Sequence, residues 1–362
     1  MAVDFAKLRL KHHGDPAKMQ EILQMECREK TRRKLPTLSA LDGFIFPSLA
    51  VAEMSTSEDV AEIHAAMAQD GAVAVDMTAG LGVDAFAMAR RGCRVTAFEI
   101  DSNTAEALRS NIAMLGLDIK AVEGDSLEWL ADNTADKVDC IFIDPARRDS
   151  KGRHYALKDC HPDVTAIMPR LLERGRRVVV KTSPMVNLNE LDAFGAEVAV
   201  IGTKTECKEV VFILGENVVA GRVSCITVGN PPYVLDKDRE QTYALPSEGM
   251  YLLEPSPAVM KAGGEVKMES VNKLHPFSHL YVSEEIPAGF PGEARRIAEI
   301  IPFDKKNIRS LRERWPKVNV CSRNFPLSAP DLAKRLKITE GGTAKLYGTT
   351  LKDGQLTMII AE

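Results

Sequence analysis

The sequence predicts an α/β fold built on one parallel sheet, with a helical segment before it and small α+β domains after it. Three observations carry this. From residue 71 to residue 215, apolar strand-like runs alternate with helical stretches. The sixth and seventh runs are separated only by residues 203–208, and the residues on either side of the region lose the rhythm. Alternation of this kind buries a parallel sheet under helices on both faces. A connection as short as 203–208 cannot be a crossover, so the seventh and last strand is predicted to run antiparallel.

Residues 1–70 read as helical. The stretch 17–34 sets Met19, Ile22, Leu23 and Met25 on one side and ends in Arg28, Lys30, Arg32, Arg33 and Lys34, before Pro36 stops it. A second helix is predicted after Ser55-Thr56-Ser57-Glu58, where a hydroxyl cap precedes Val60, Ile63, His64 and Met67. The strand runs are 72–77, 93–99, 119–123, 138–144, 177–182, 196–202 and 209–215. Helices are predicted at 83–91, 103–115, 126–132, 162–173 and 188–194.

Residues 216–277 hold a β run at 222–228 and Gly/Pro turns, and read as a small α+β module. Residues 278–362 open with a strand at 279–283 and continue through a basic helix at 305–314, a strand at 318–322 and a helix at 330–336. They end in a hairpin of 345–349 with 357–361 across Lys352-Asp353-Gly354. The expected division is therefore 1–70, 71–215, 216–277 and 278–362.

A chain of 362 residues that is 45% hydrophobic is long enough for two or three domains. The seven cysteines are scattered and form no C-x-x-C pair, so neither a zinc knuckle nor a disulfide framework is expected, and no metal site. The first 25 residues lack the apolar core of a signal peptide, and no run approaches the ~18 apolar residues of a membrane span. These features predict a soluble protein in the reducing cytoplasm. The net charge of −4 is unevenly spread: residues 1–41 balance at +4, 42–260 at −13 and 261–362 at +5. Basic ends around an acidic middle suggest flanks that touch a polyanion.

Chemistry concentrates at the strand ends. The run Asp76-Met77-Thr78-Ala79-Gly80-Leu81-Gly82-Val83-Asp84 joins the first strand to its helix. Its glycines allow close backbone approach, and the helix N-terminus offers free N–H groups to a nucleotide-type cofactor. Glu99 ends the second run, Asp125-Ser126 follows the third and Asp144-Pro145-Ala146-Arg147-Arg148 follows the fourth. Gly80-Leu81-Gly82-Val83-Asp84-Ala85 also satisfies the dinucleotide fingerprint loosely. Asp76, Asp125, Asp144 and the antiparallel last strand favour S-adenosylmethionine (SAM) over NAD.

The cofactor-facing set is Asp76, Thr78, Ala79, Gly80, Gly82, Asp84, Glu99, Ile100, Asp125 and Ser126. Asp76 and Asp84 are placed to receive the ammonium of SAM, directly or through water. Glu99 suits two ribose hydroxyls, and Asp125 the adenine amino group.

Asp144, Pro145 and Arg147 form the expected catalytic set. Asp144 and the Pro145 carbonyl can accept hydrogen bonds from an amino group, while Arg147 and Arg148 bracket a phosphate, stack on a base or serve as ion-pair partners in a loop. Lys181, in Lys181-Thr182-Ser183-Pro184, either contacts substrate or pairs with Asp144. A threonine follows it where a cysteine nucleophile would stand, which disfavours carbon methylation through a cysteine adduct. Asn230-Pro231-Pro232-Tyr233 spells an amino-methyltransferase motif but lies beyond the seventh strand, and is read as a turn.

Together these residues resemble the bacterial class I SAM-dependent methyltransferases that carry a C-terminal THUMP-like domain. The resemblance rests on Asp76 to Gly82, on Asp144-Pro145-Ala146-Arg147-Arg148, and on the Phe46-Pro47-Ser48 and Ser55-Thr56-Ser57-Glu58 lead-in. Lys181-Thr182-Ser183-Pro184-Met185 and the tail around 304–314 and 341–347 extend it. It implies a helical N-terminal part, a Rossmann-like methyltransferase sheet of seven strands, a ferredoxin-like domain and a THUMP-like domain. THUMP domains proper bind RNA, which agrees with the basic ends. The expected activity is methylation of a base nitrogen of tRNA or rRNA. Lys305, Lys306, Arg309, Arg312 and Arg314 would hold the phosphate backbone, and Trp315 either stacks on a base or packs in the core. The alternatives are a methyltransferase for a protein or small molecule, and an RNA-binding protein that retains SAM without catalysis.

Overall fold

The computed structural model describes residues 3–362 apart from 134–135, 147, 150–151, 154–155 and 237, and gives the backbone alone at 148–149 and 152–153. The chain forms two compact units, 1–198 with 209–221 and 199–208 with 222–362.

The first unit opens with helices α1 (Phe5–Lys11), α2 (Pro16–Thr31), α3 (Leu49–Met54) and α4 (Glu58–Ala68). Asp15 caps α2 and Pro16 occupies its first position, where a missing N–H costs nothing. The Arg28 guanidinium donates to the carbonyls of Ser39, Leu41 and Phe44 at 2.8–2.9 Å, which folds the following loop back onto α2. In α4, Val60, Ala61, His64, Ala65, Met67 and Ala68 are buried.

The sheet then develops through β1 (Val73–Asp76), α5 (Val83–Arg90), β2 (Arg94–Glu99), α6 (Ser102–Leu115), β3 (Ile119–Glu123), α7 (Ser126–Ala131) and β4 (Val138–Ile143). A small hairpin of β5 (Arg148–Asp149) with β6 (Gly152–Arg153) precedes α8 (Val164–Arg174) and β7 (Gly175–Thr182); β8 (Glu197–Gly202) and β9 (Cys207–Gly215) follow. Strand β1 sits between β2 and β4, with Val75 opposite Thr96 on one side and Ile141 on the other, all parallel. Strand β9 is antiparallel to β7, with Val179 opposite Ile213. The seven predicted runs are β1 to β4, β7, β8 and β9, and the last is antiparallel as expected.

One predicted helix is absent. Residues 188–194 form turns and a single 3₁₀ turn at Asp192–Phe194. The Asn187 side chain accepts the Asn189 N–H at 3.1 Å, a local bond that competes with helix propagation, and Gly195 at φ +72° ends the segment.

The second unit contains β10 (Val223–Thr227), β11 (Tyr233–Val234), β12 (Tyr251–Pro255), α9 (Pro257–Lys261), β13 (Asn272–Lys273) and β14 (Tyr281–Ser283). It continues with β15 (Gly292–Pro302), α10 (Lys305–Arg314), β16 (Asn319–Arg323), α11 (Ala329–Leu336), β17 (Lys345–Thr350) and β18 (Leu356–Ala361). Seven of these strands form one sheet in the order β13-β14-β12-β15-β18-β17-β16. The long β15 joins its halves: Gly292 to Arg296 pair with β12, and from Ile297 onward the strand pairs with β18, with an irregularity between Ile297 and Glu299. Successive residues face opposite ways, so Leu346 enters one core cluster and Tyr347 the other.

Trp315 packs against the first of these clusters and donates its indole N–H to Glu299 at 3.3 Å. It is a core residue rather than a free stacking platform. Asn230 follows β10 in a turn whose last residue, Tyr233, begins β11. Among the described residues no helix is long and apolar enough to cross a membrane. No group of three or more His, Cys, Asp or Glu among them could hold a metal ion.

Candidate active site

The turn after β1 is knitted to the two neighbouring strands. Asp76 Oδ1 accepts the Thr78 N–H at 3.0 Å, the Ala79 N–H reaches the Phe98 carbonyl at 2.9 Å, and the Gly80 N–H donates to Glu99 Oε2 at 2.9 Å. Gly82 begins α5 at φ +91°, and a Cβ there would lie 2.4 Å from Leu108 Cδ1 and 2.7 Å from Phe86 Cζ. Gly80 has φ +53°, with open space where its Cβ would stand. One glycine therefore serves close packing beneath the turn, and the other leaves its outer face clear.

The remaining strand ends lie where the sequence reading places them. Glu99 closes β2, its second oxygen accepting the Asp101 N–H at 2.8 Å, and Ile100 beside it is 68% exposed. Asp125 caps α7 by accepting the Leu127 N–H at 2.9 Å, with Ser126 buried behind it.

Asp76 is fully buried, and its Oδ2 has no hydrogen-bond donor among the described residues. Burial and the nearby negative charge of Asp84 push it up to about 8, against the opposing hydrogen bond from Thr78. A buried carboxylate oxygen without a donor costs stability unless a bound group supplies one. Asp76 thus fits the ammonium of a SAM-type ligand.

Asp84 is buried. Its Oδ2 accepts the Thr56 hydroxyl at 2.5 Å and its Oδ1 accepts His64 Nδ1 at 2.7 Å, so both oxygens already face donors inside the protein. His64 Nε2 meets Glu209 Oε1. Both carboxylates are acceptors only, so both ring nitrogens donate and His64 is the imidazolium. Burial opposes that charge, but Glu209 and Asp84 outweigh it and His64 is pushed up to about 10. Burial likewise opposes ionisation of Asp84, yet the His64 charge holds it below the usual carboxylate range.

Asp144 ends β4 beside this network. Its backbone N–H donates to Thr78 Oγ1 at 2.7 Å, and its Oδ2 accepts from Lys181 Nζ at 2.5 Å. Lys181 is buried, and although burial opposes its charge, Asp144, Glu209 and Asp84 raise it above the ordinary lysine value. The Asp144 side chain is 28% exposed, so it reaches the surface while Lys181 grips it from below. Pro145 is buried, and Ala146 forms a paired bridge with His161 at 2.8 and 2.9 Å.

Arg147 lies outside the described residues. Arg148 is described in its backbone, in β5 opposite Arg153. Lys305, Lys306, Arg309 and Arg312 line the exposed side of α10 in the second unit. Thr56, His64 and Glu209 escaped the sequence reading, which took Thr56 as part of a helix cap and His64 as one residue of an apolar face.

Comparison with known proteins adds three family matches. Residues 57–192 match the family described as conserved hypothetical protein 95, residues 251–291 a ferredoxin-like domain and residues 292–362 a THUMP domain-like family. An uncharacterised S-adenosylmethionine-dependent methyltransferase of Mycobacterium tuberculosis is 24% identical over 320 residues, 85% of this chain and 86% of the relative. Ribosomal RNA small subunit methyltransferase J of Laribacter hongkongensis is 36% identical over 115 residues, 29% of this chain and 41% of the relative. A crystal structure of a protein of Porphyromonas gingivalis W83 assigned as a methyltransferase superposes with a TM-score of 0.84 at 29% identity, covering 95% of this chain and 90% of that one.

Proposed function

We propose that the chain is a SAM-dependent methyltransferase with a THUMP-like C-terminal domain, and that its acceptor is RNA, methylated on a base nitrogen. SAM supplies a methyl group activated on a sulfonium. Asp76 would hold the ammonium of the cofactor with its unpartnered Oδ2, and Glu99 its ribose hydroxyls. The outer face of Gly80 leaves room for the chain between them.

A single observation carries the acceptor reading. Asp144 is tied by its backbone to Thr78 of the cofactor turn and by Oδ2 to the Lys181 ammonium, while its side chain stays 28% exposed. Such a group, with the Pro145 carbonyl, can take hydrogen bonds from an exocyclic amino group and orient the nitrogen lone pair in line with the methyl. Two further features support RNA as the molecule presenting that amino group. One is the relative named ribosomal RNA small subunit methyltransferase J, whose similarity falls on part of this chain. The other is the exposed basic face of α10.

The test is transfer of labelled methyl groups from SAM to total rRNA and tRNA taken from a strain lacking the gene. Label in a base nitrogen, lost in Asp144→Ala with SAM affinity retained, supports the reading. Label absent from RNA but present in a protein or small molecule contradicts it.

A further inference from the structure

The hydrogen bonds that fix Asp144 do not stop at Lys181. The Lys181 Nζ also donates to Thr56 Oγ1 at 3.1 Å, and the Thr56 hydroxyl donates to Asp84 Oδ2 at 2.5 Å. Asp84 is held in turn by His64, and His64 by Glu209. A continuous chain therefore runs Asp144, Lys181, Thr56, Asp84, His64, Glu209, and every member except Asp144 is buried. Chemistry sets the direction of each bond. An ammonium only donates and an ionised carboxylate only accepts, so the one hydroxyl proton of Thr56 must point to Asp84, and its lone pairs face Lys181.

We propose that Thr56 is a positioning residue for methyl transfer: its hydroxyl, held on Asp84 by the His64–Glu209 anchor, aims the Lys181 ammonium at Asp144. The proposal rests on reading Asp144 as the acceptor-site carboxylate. A lysine carries three donors on a flexible stem and selects no partner by shape. Lys181 has three carboxylates near enough to stabilise its charge, those of Asp144, Glu209 and Asp84. Thr56 decides among them. It occupies Asp84 Oδ2 with its own proton and offers Lys181 a neutral acceptor, which leaves the ammonium directed at Asp144. Without the hydroxyl, Lys181 is free to pair with Asp84, and Asp144 loses its grip.

The local sequence agrees with an inward role. Ser57 takes the N-cap position of α4 without making a side-chain cap bond, while Thr56 turns its hydroxyl into the interior.

The experiment compares wild type, Thr56→Val and Thr56→Ser. Valine keeps the shape and removes the hydroxyl, whereas serine restores it. Turnover is measured with SAM and total rRNA and tRNA from a strain lacking the gene, and SAM affinity by calorimetry. The Lys181 ammonium is followed by ¹⁵N NMR without RNA, its signal identified by its loss in Lys181→Arg. We expect Thr56→Val to lower kcat about tenfold or more with SAM affinity within about twofold, the signature of a lost transition-state interaction. The Lys181 signal should shift in Thr56→Val, and Thr56→Ser should restore both rate and signal. An unchanged kcat in Thr56→Val overturns the proposal, as does a loss of rate and SAM affinity together that serine does not restore. If wild type transfers nothing to RNA, the functional reading fails on its own, and an unmoved Lys181 signal in Thr56→Val still overturns the positioning role.

Discussion

Thr78 Oγ1 accepts the backbone N–H of Asp144 at 2.7 Å, so the turn after β1 and the exit of β4 are built as one piece. The bond between the Met77 N–H and the Phe142 carbonyl, at 2.9 Å, continues the same seam. The residues that would hold the methyl donor and the residue that would orient the acceptor are thus fixed to each other by the sheet. Precision of this kind is what an in-line transfer needs, because small displacements of the reacting groups are costly.

Asp144→Asn preserves size but replaces the carboxylate gripped by Lys181. We expect kcat to fall about 10²- to 10³-fold, comparable with removal of a single oriented polar group at other active sites. SAM affinity should stay within a few-fold. Steady-state kinetics with calorimetry checks both, and a parallel loss of SAM binding would place Asp144 with the cofactor rather than the acceptor.

The two glycines should separate. Gly80→Ala meets open space and pays mainly for its positive φ, about 1–2 kcal/mol. Gly82→Ala pays that and also drives a Cβ into Leu108 and Phe86, which adds about 1–3 kcal/mol of overpacking. Urea denaturation should show the second variant clearly less stable. Calorimetry should show weakened SAM binding in Gly80→Ala, despite its nearly normal fold.

His64 links stability to pH. Its value of about 10 lies above the ordinary histidine value of 6.5. Its stabilising contribution is therefore complete below about 6.5 and is lost as pH rises through about 10. His64→Gln removes the cation that bridges Asp84 and Glu209 and should cost about 3–5 kcal/mol near pH 6. The gap between wild type and variant should narrow as pH approaches 10, which urea midpoints across that range will show.

Asp76 links cofactor binding to pH with a definite sign. At a value of about 8 it is mostly protonated near neutrality. A cationic ligand favours its ionised form. SAM affinity should therefore rise with pH up to about 8 and then level off, with a proton released on binding at pH 7. Calorimetry in buffers of different ionisation enthalpy measures that proton directly. Asp76→Asn should bind more weakly and lose the pH dependence.

Reversing charge on α10, as in Lys305→Glu with Lys306→Glu and Arg309→Glu, should weaken RNA binding and flatten its salt dependence. SAM affinity should not change. Filter binding at several salt concentrations decides this. An unaltered slope would remove α10 from the RNA-contacting surface.

The strand ends were legible because each element announces itself locally. An apolar run, an acidic residue and a glycine turn recur at β1, and acids close β2 and β4 in step with the sheet. The interior network was not legible, because its members meet only in the folded chain. His64 and Glu209 lie 145 residues apart, and Lys181 and Thr56 are separated by 125. Nothing in the sequence distinguishes a histidine between two carboxylates from one on an apolar helix face. For the same reason the sequence does not show that Asp84 meets Thr56 and His64, which come from the segment before the sheet. The missing helix at 188–194 failed on a smaller scale, where the Asn187 side chain competes with the helical backbone.

Mass spectrometry of modified nucleosides in rRNA and tRNA from a strain lacking the gene tests the central claim most directly. The account predicts that one nucleoside methylated on a base nitrogen disappears, returns with the wild-type gene and stays absent with Asp144→Ala. An unchanged set of methylated nucleosides, or full restoration by Asp144→Ala, would contradict it.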